Sequence, residues 1–135
     1  YSSQGMFDLV NDVDSYPKFL PNCSDAKVFS AQSDEMRAGL EISKAGLKKW
    51  FTTLNRLDRG NHCIALELVD GPFKRLHGHW QFKALDEHAC KVSLKLEFEF
   101  ASKLVEMAFG KVFNDVATNM VQAFTQRAKV VYGER

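Results

Sequence analysis

His77 and His79 stand one residue apart, and they are the first side chains here that could do chemistry. On a strand they share a face, and two imidazoles on one face suit a transition metal. Two ligands do not complete a zinc site, and no other Cys or His stands at ligand spacing. Glu97 and Glu99 form a second same-face pair. Paired carboxylates act as acid and base only where one of them is desolvated. Leu96, Phe98 and Phe100 alternate with them, so the carboxylates fall on the wet face. Ser93 points outward in the same strand, and no G-x-S-x-G turn occurs. Phosphate loops and dinucleotide fingerprints are absent from the sequence. Cys23, Cys63 and Cys90 are odd in number and far apart, and read as reduced thiols. Nothing in these patterns asks for catalysis, a metal or a required cofactor.

The unusual quantity is apolar volume. Eleven of 135 residues are Phe, against two Trp and three Tyr, and phenylalanine has no polar handle. Net charge is only +1, which argues against a dedicated nucleic-acid binder, and no DNA partner is expected. No apolar run is long enough to cross a membrane. A chain of this length holds one domain, residues 1–135.

Three kinds of pattern position the side chains. Ser2 or Ser3 caps a short helix with Met6, Phe7, Leu9 and Val10 as its apolar residues. Asp14–Pro17 breaks it, and Pro17 opens a second short helix over Lys18–Leu20. From about 24 to 100 the period is two, in about six strands with short turns at Gln32–Asp34, Ala45-Gly46, Asp58–Asn61, Asp70–Phe73 and Asp86–His88. Short connections imply antiparallel neighbours. The segment Trp50–Leu57 is β-prone but declares no clear dry face. After Ser102, an N-cap candidate, the period becomes 3.6 through Val105, Phe109, Val112, Phe113, Val116, Met120, Phe124 and Val131. Gly110 marks a kink or a close approach to the sheet.

This is an α+β layout in which a curved antiparallel sheet and one long helix bury each other. Phe109, Phe113, Val116, Met120 and Phe124 on the helix would face Trp80, Phe82, Phe98 and Phe100 on the sheet. That wall reads as a packed core or as a cavity for an apolar ligand, and the pattern leaves both open.

The run LVDGPFKRLHGHWQF (68–82), the strand KVSLKLEFEF (91–100), the helix end MVQAFTQRAKVVYG (120–133) and the opening MFDLVNDVDSYPKFLPNC (6–23) carry a resemblance. They resemble the coenzyme Q-binding, RatA-type branch of the START-like (polyketide cyclase/dehydrase) helix-grip superfamily, across essentially the whole chain. The resemblance implies a sheet of about six or seven strands wrapped around the C-terminal helix, with two short helices near the N-terminus. It also implies a strand before the first helix, expected to be truncated because Tyr1 falls near its end. It further implies a hydrophobic tunnel that holds ubiquinone or a related prenyl quinone, without catalysis, in support of respiration. The RatA-type relatives imply a second class of function, inhibition of ribosomal subunit association through the large subunit. Either role is placed in the cytoplasm, the first with transient contact at the inner membrane around Phe19, Leu20 and Phe73.

A quinone head has two carbonyl acceptors and needs donors. Trp50, Thr52 or Thr53, Asn55 and Arg56 are the candidates, all on the strand without a clear dry face. Gly71, Pro72 and Phe73 form a candidate lid, or a plain hairpin turn. For RNA contact the usable charges are Lys44, Lys48, Lys49, Lys74, Arg75, Arg127, Lys129 and Arg135.

Overall fold

The computed structural model describes residues 1–44 and 46–133. Ala45 of the expected turn and Arg135 of the basic set lie outside the described residues.

Helix α1 spans Ser3–Asn11, and the Ser2 hydroxyl accepts from the Gly5 N–H at 3.0 Å. Met6, Phe7, Leu9 and Val10 are its buried face. The second helix differs from the sequence expectation. It is a 3₁₀ segment over Val13–Lys18 with Pro17 inside it, and it ends where a helix was expected to begin. Its anchor is Tyr16, buried, whose hydroxyl donates to the Val10 carbonyl.

Six strands follow in one antiparallel sheet whose spatial order is the chain order. They are β1 (Cys23–Ala31), β2 (Glu35–Lys44), β3 (Leu47–Asp58), β4 (Cys63–Asp70), β5 (Phe73–Asp86) and β6 (Ala89–Phe100). The inner face carries Met36, Ala38, Leu40 and Ile42 from β2, and Leu76, Trp80 and Phe82 from β5. The inward side chains of β6 are only half-buried, as expected of an edge strand. β4 pairs with β5 only through Cys63–Glu67, while Leu68 and Asp70 still pair with β3.

Helix α2 runs 30 residues, Lys103–Tyr132, and the Ser102 hydroxyl accepts from the Val105 N–H at 3.2 Å. Phe109, Phe113, Val116, Phe124 and Ala128 form its buried stripe. Val131 is exposed instead of closing that stripe. A 3.6 period carried from Phe124 reaches Ala128 first. The expected close approach at Gly110 is a correction: a Cβ there would lie 3.6 Å from the Phe100 ring, an ordinary van der Waals contact.

Candidate functional site

β3 decides the site. Phe51, Thr53, Asn55 and Leu57 are buried and face α2, while Lys48, Trp50 and Arg56 lie on the opposite, outer face. Two polar residues on the dry side break the apolar alternation, which is why the sequence declared no face. Of the head-group candidates, Thr53 and Asn55 therefore point inward. Trp50 and Arg56 are corrections: Trp50 is 40% exposed, and Arg56 pairs with Glu67 at 3.7 Å on the outer surface. Thr52 shares their outward parity and lies beside Gly39.

The Thr53 hydroxyl donates to the Asn55 carboxamide oxygen at 2.7 Å, and both residues are buried. They form part of the wall of a cavity between the sheet and α2. Val10, Asn11, Val13 and Tyr16 close it from the N-terminal segment, Trp80 and Leu96 from the sheet, and Phe113, Val116 and Met120 from α2. The wall contains no Asp, Glu, Lys, Arg or His. Its one titratable side chain besides these classes, Tyr16, is held neutral because burial raises the phenol well above 10.0. The free volume is about 60 Å³. That is well short of the roughly 300–1,000 Å³ of an ordinary ligand pocket.

Four of the nine expected lining residues, Trp80, Phe113, Val116 and Met120, reach this cavity. The other five, Phe82, Phe98, Phe100, Phe109 and Phe124, are corrections: they pack in two aromatic clusters. In one cluster Phe73 stacks on Phe100 at 5.4 Å and meets Phe113 edge-on at 4.8 Å, and Phe98 meets Phe113 at 4.9 Å. Phe109 is seated 5.8 Å from Phe113. In the other, Phe124 meets Tyr16 and Phe19 at 5.0 Å each and Trp80 at 5.4 Å. Phe82 stacks on Trp80 at 5.9 Å. Such edge-on pairs gain beyond their buried area, so both clusters are core. Asn11 belongs to the wall and was missed in the sequence, where it looked like an ordinary helix end.

The candidate lid is pinned. Gly71 sits at φ +151° with its α-carbon against Phe51, and an added Cβ would come 2.6 Å from the Phe51 Cβ. The Pro72 carbonyl accepts from the Ala101 N–H at 3.0 Å. Phe73 is a buried strand residue at the heart of the first cluster and not a lid tip. The expected membrane contact is also corrected: Leu20 and Phe73 are buried, and Phe19 is packed between Phe124 and the Arg127 guanidinium. Exposed apolar side chains stand instead at Leu104 and Met107, at the start of α2.

The histidine and carboxylate candidates of β5 and β6 lie on the outer face. His77 pairs with Glu97 at 3.1 Å and Arg75 with Glu99 at 3.7 Å, each across the β5–β6 ladder. Arg75 is thus partly neutralised as an RNA contact. Lys44, Lys48 and Lys49 gather at the end of the β2–β3 hairpin. Among the described residues no group of His, Cys, Asp or Glu could hold a metal ion. No helix there is long and apolar enough to cross a membrane.

Comparison with known proteins places this geometry. A family model described as polyketide cyclase / dehydrase and lipid transport matches residues 1–125. The chain is 58% identical over 134 residues to the ribosome association toxin RatA of Vibrio cholerae, covering 99% of this chain and 92% of the relative. It is 31% identical over 138 residues to a mitochondrial coenzyme Q-binding protein of Schizosaccharomyces pombe, covering 96% and 82%. Among solved structures, the Zhui aromatase/cyclase from a Streptomyces species superposes with a TM-score of 0.81 at 15% identity, covering 96% of this chain and 88% of that one.

Proposed function

We propose, from the premise that the chain belongs to the polyketide cyclase / dehydrase and lipid transport family, that it works as a single domain that binds an uncharged prenyl quinone without turning it over. The observation that carries this reading is the Thr53–Asn55 pair, which, with Asn11 and Tyr16, sets neutral hydrogen-bonding groups in a mostly apolar, uncharged wall. A fatty acid or phospholipid head would bury a charge there with no cation to meet it. A quinone oxygen would accept from the Asn55 amide, and an isoprenoid tail would gain about 0.8 kcal/mol per buried CH₂. The cavity of about 60 Å³ admits such a ligand only by widening, so loading moves α2 or the aromatic clusters beside it. The wall offers no ionised acid or base and no activated nucleophile, which supports a carrier over a cyclase. The relative named for coenzyme Q binding supports the same ligand class. The carrier would reside in the cytoplasm and meet the inner membrane to load.

The test uses the two tryptophans. Trp80 lines the cavity and Trp50 lies outside it. In a Trp50→Phe variant, a short-tailed ubiquinone should quench the remaining fluorescence saturably. Unquenched Trp80 at saturating quinone would contradict the reading.

A second reading has its own support. The RatA relatives are named for ribosome association, and the lysine-rich end of the β2–β3 hairpin could meet RNA phosphates of the large subunit. Binding to large subunits should weaken steeply with salt and fall in a Lys44→Glu/Lys48→Glu variant. A flat salt response would sink the phosphate contact.

A further inference from the structure

We propose that Asn11 lets the cavity read the oxidation state of its ligand, favouring a ring hydroxyl, as in a hydroquinone or phenol, over a quinone carbonyl. This rests on the ligand reading above. Asn11 is the last residue of α1 and forms part of the cavity wall. Its carboxamide oxygen is buried and has no hydrogen-bond partner. Buried polar atoms are nearly always paired, so each exception calls for an explanation. Arg127 Nε is the other such atom among the described residues, and its guanidinium lies over Phe19, away from the cavity. The unsatisfied oxygen in the wall is therefore Asn11's.

Asn55 supplies the complement. Its oxygen is taken by the Thr53 hydroxyl at 2.7 Å, which leaves Asn55 its amide N–H groups to offer a ligand. The wall thus presents an acceptor from α1 and a donor from β3. A ligand hydroxyl that reaches both would donate to the Asn11 oxygen and accept from the Asn55 amide. A quinone carbonyl only accepts, so it answers Asn55 and leaves the Asn11 oxygen unpaired. The Asn11 oxygen is unpaired before binding, so a ligand that pairs it gains, relative to one that does not, on the scale of about tenfold.

The experiment is calorimetric titration with a short-tailed ubiquinone and, under anaerobic conditions, its reduced quinol, on the parent chain and on Asn11→Leu. Thermal unfolding of both ligand-free proteins is measured alongside. The quinol should bind the parent about tenfold more tightly than the quinone, and Asn11→Leu should bring the two affinities together. Ligand-free Asn11→Leu should melt no lower than the parent, because an unsatisfied oxygen has been replaced by an apolar group. Equal affinities in the parent, a preference that survives in Asn11→Leu, or a lower melting temperature of the ligand-free variant would each overturn the proposal. Failure of both forms to bind the parent would overturn the ligand reading with it, whereas equal binding overturns the role of Asn11 alone.

Discussion

Thr53 and Asn55, two residues apart on the buried face of β3, hydrogen-bond to each other at 2.7 Å inside the apolar cavity wall. The pair satisfies the Thr53 hydroxyl proton internally and turns the Asn55 amide into a donor of fixed orientation. Buried polar pairs of this kind are costly to break on one side only.

Thr53→Val should destabilise the fold by about 1–3 kcal/mol, because the Asn55 oxygen is then buried without its donor. Adding Asn55→Leu should recover most of that loss. Urea unfolding of the two single variants and the double variant measures the coupling. Quinone affinity should stay low in the double variant although its stability returns.

Ala38 on β2 is buried in the cavity wall. Ala38→Leu should fill the space and abolish quinone uptake. Its stability should stay within about 2 kcal/mol of the parent, because the gain of roughly 0.8 kcal/mol per buried CH₂ opposes an overpacking cost of similar size. Overproducing this variant also separates the two proposed readings: the ribosome reading, which needs only the outer surface, predicts translation arrest that persists when the cavity is full.

Phe124 joins the 3₁₀ segment to the sheet through Tyr16, Phe19 and Trp80. Phe124→Ala should cost about 3–5 kcal/mol. Hydrogen exchange should show the largest loss of protection in Val13–Lys18 and at Phe19, because Tyr16 and Phe19 rest on that ring.

Alkaline pH should unfold the protein in a defined window. Burial pushes the Cys23 thiol from 9.0 up to about 11 and raises the Tyr16 phenol above 10.0. Both groups are neutral when protonated, so the folded state holds protons that the unfolded state releases. The stability that Cys23 contributes is complete below about pH 9 and is lost as pH rises through 9 to 11, whereas that of Tyr16 begins to be lost only above 10.0 and goes on falling beyond that window. Urea midpoints measured across this range should fall, and Cys23→Ala should remove the first part of the decline.

The order of elements and the inner faces of β2, β5 and α2 were legible because their apolar residues repeat at period two or 3.6. Depth along those faces was not. A period says that Phe109 and Val116 share a stripe, but only packing shows that Val116 meets open space while Phe109 meets Phe73 and Phe100. β3 was illegible because Thr53 and Asn55 occupy dry positions with polar side chains. Trp50 looked like a donor for the same reason, and its parity, opposite to that of Phe51, puts it outside. The 3₁₀ segment escaped because Pro17 is as suited to an interior tight turn as to a helix start. Asn11 carried no sequence signal at all: its meaning comes from the missing partner.

Native mass spectrometry on protein expressed in a quinone-producing host, with extraction of the bound lipid, tests the central claim most directly. A carrier should yield a near-stoichiometric prenyl quinone that disappears in Ala38→Leu. Protein that emerges empty and also refuses added ubiquinone would contradict it, and the space beside Thr53 and Asn55 would then be part of the core.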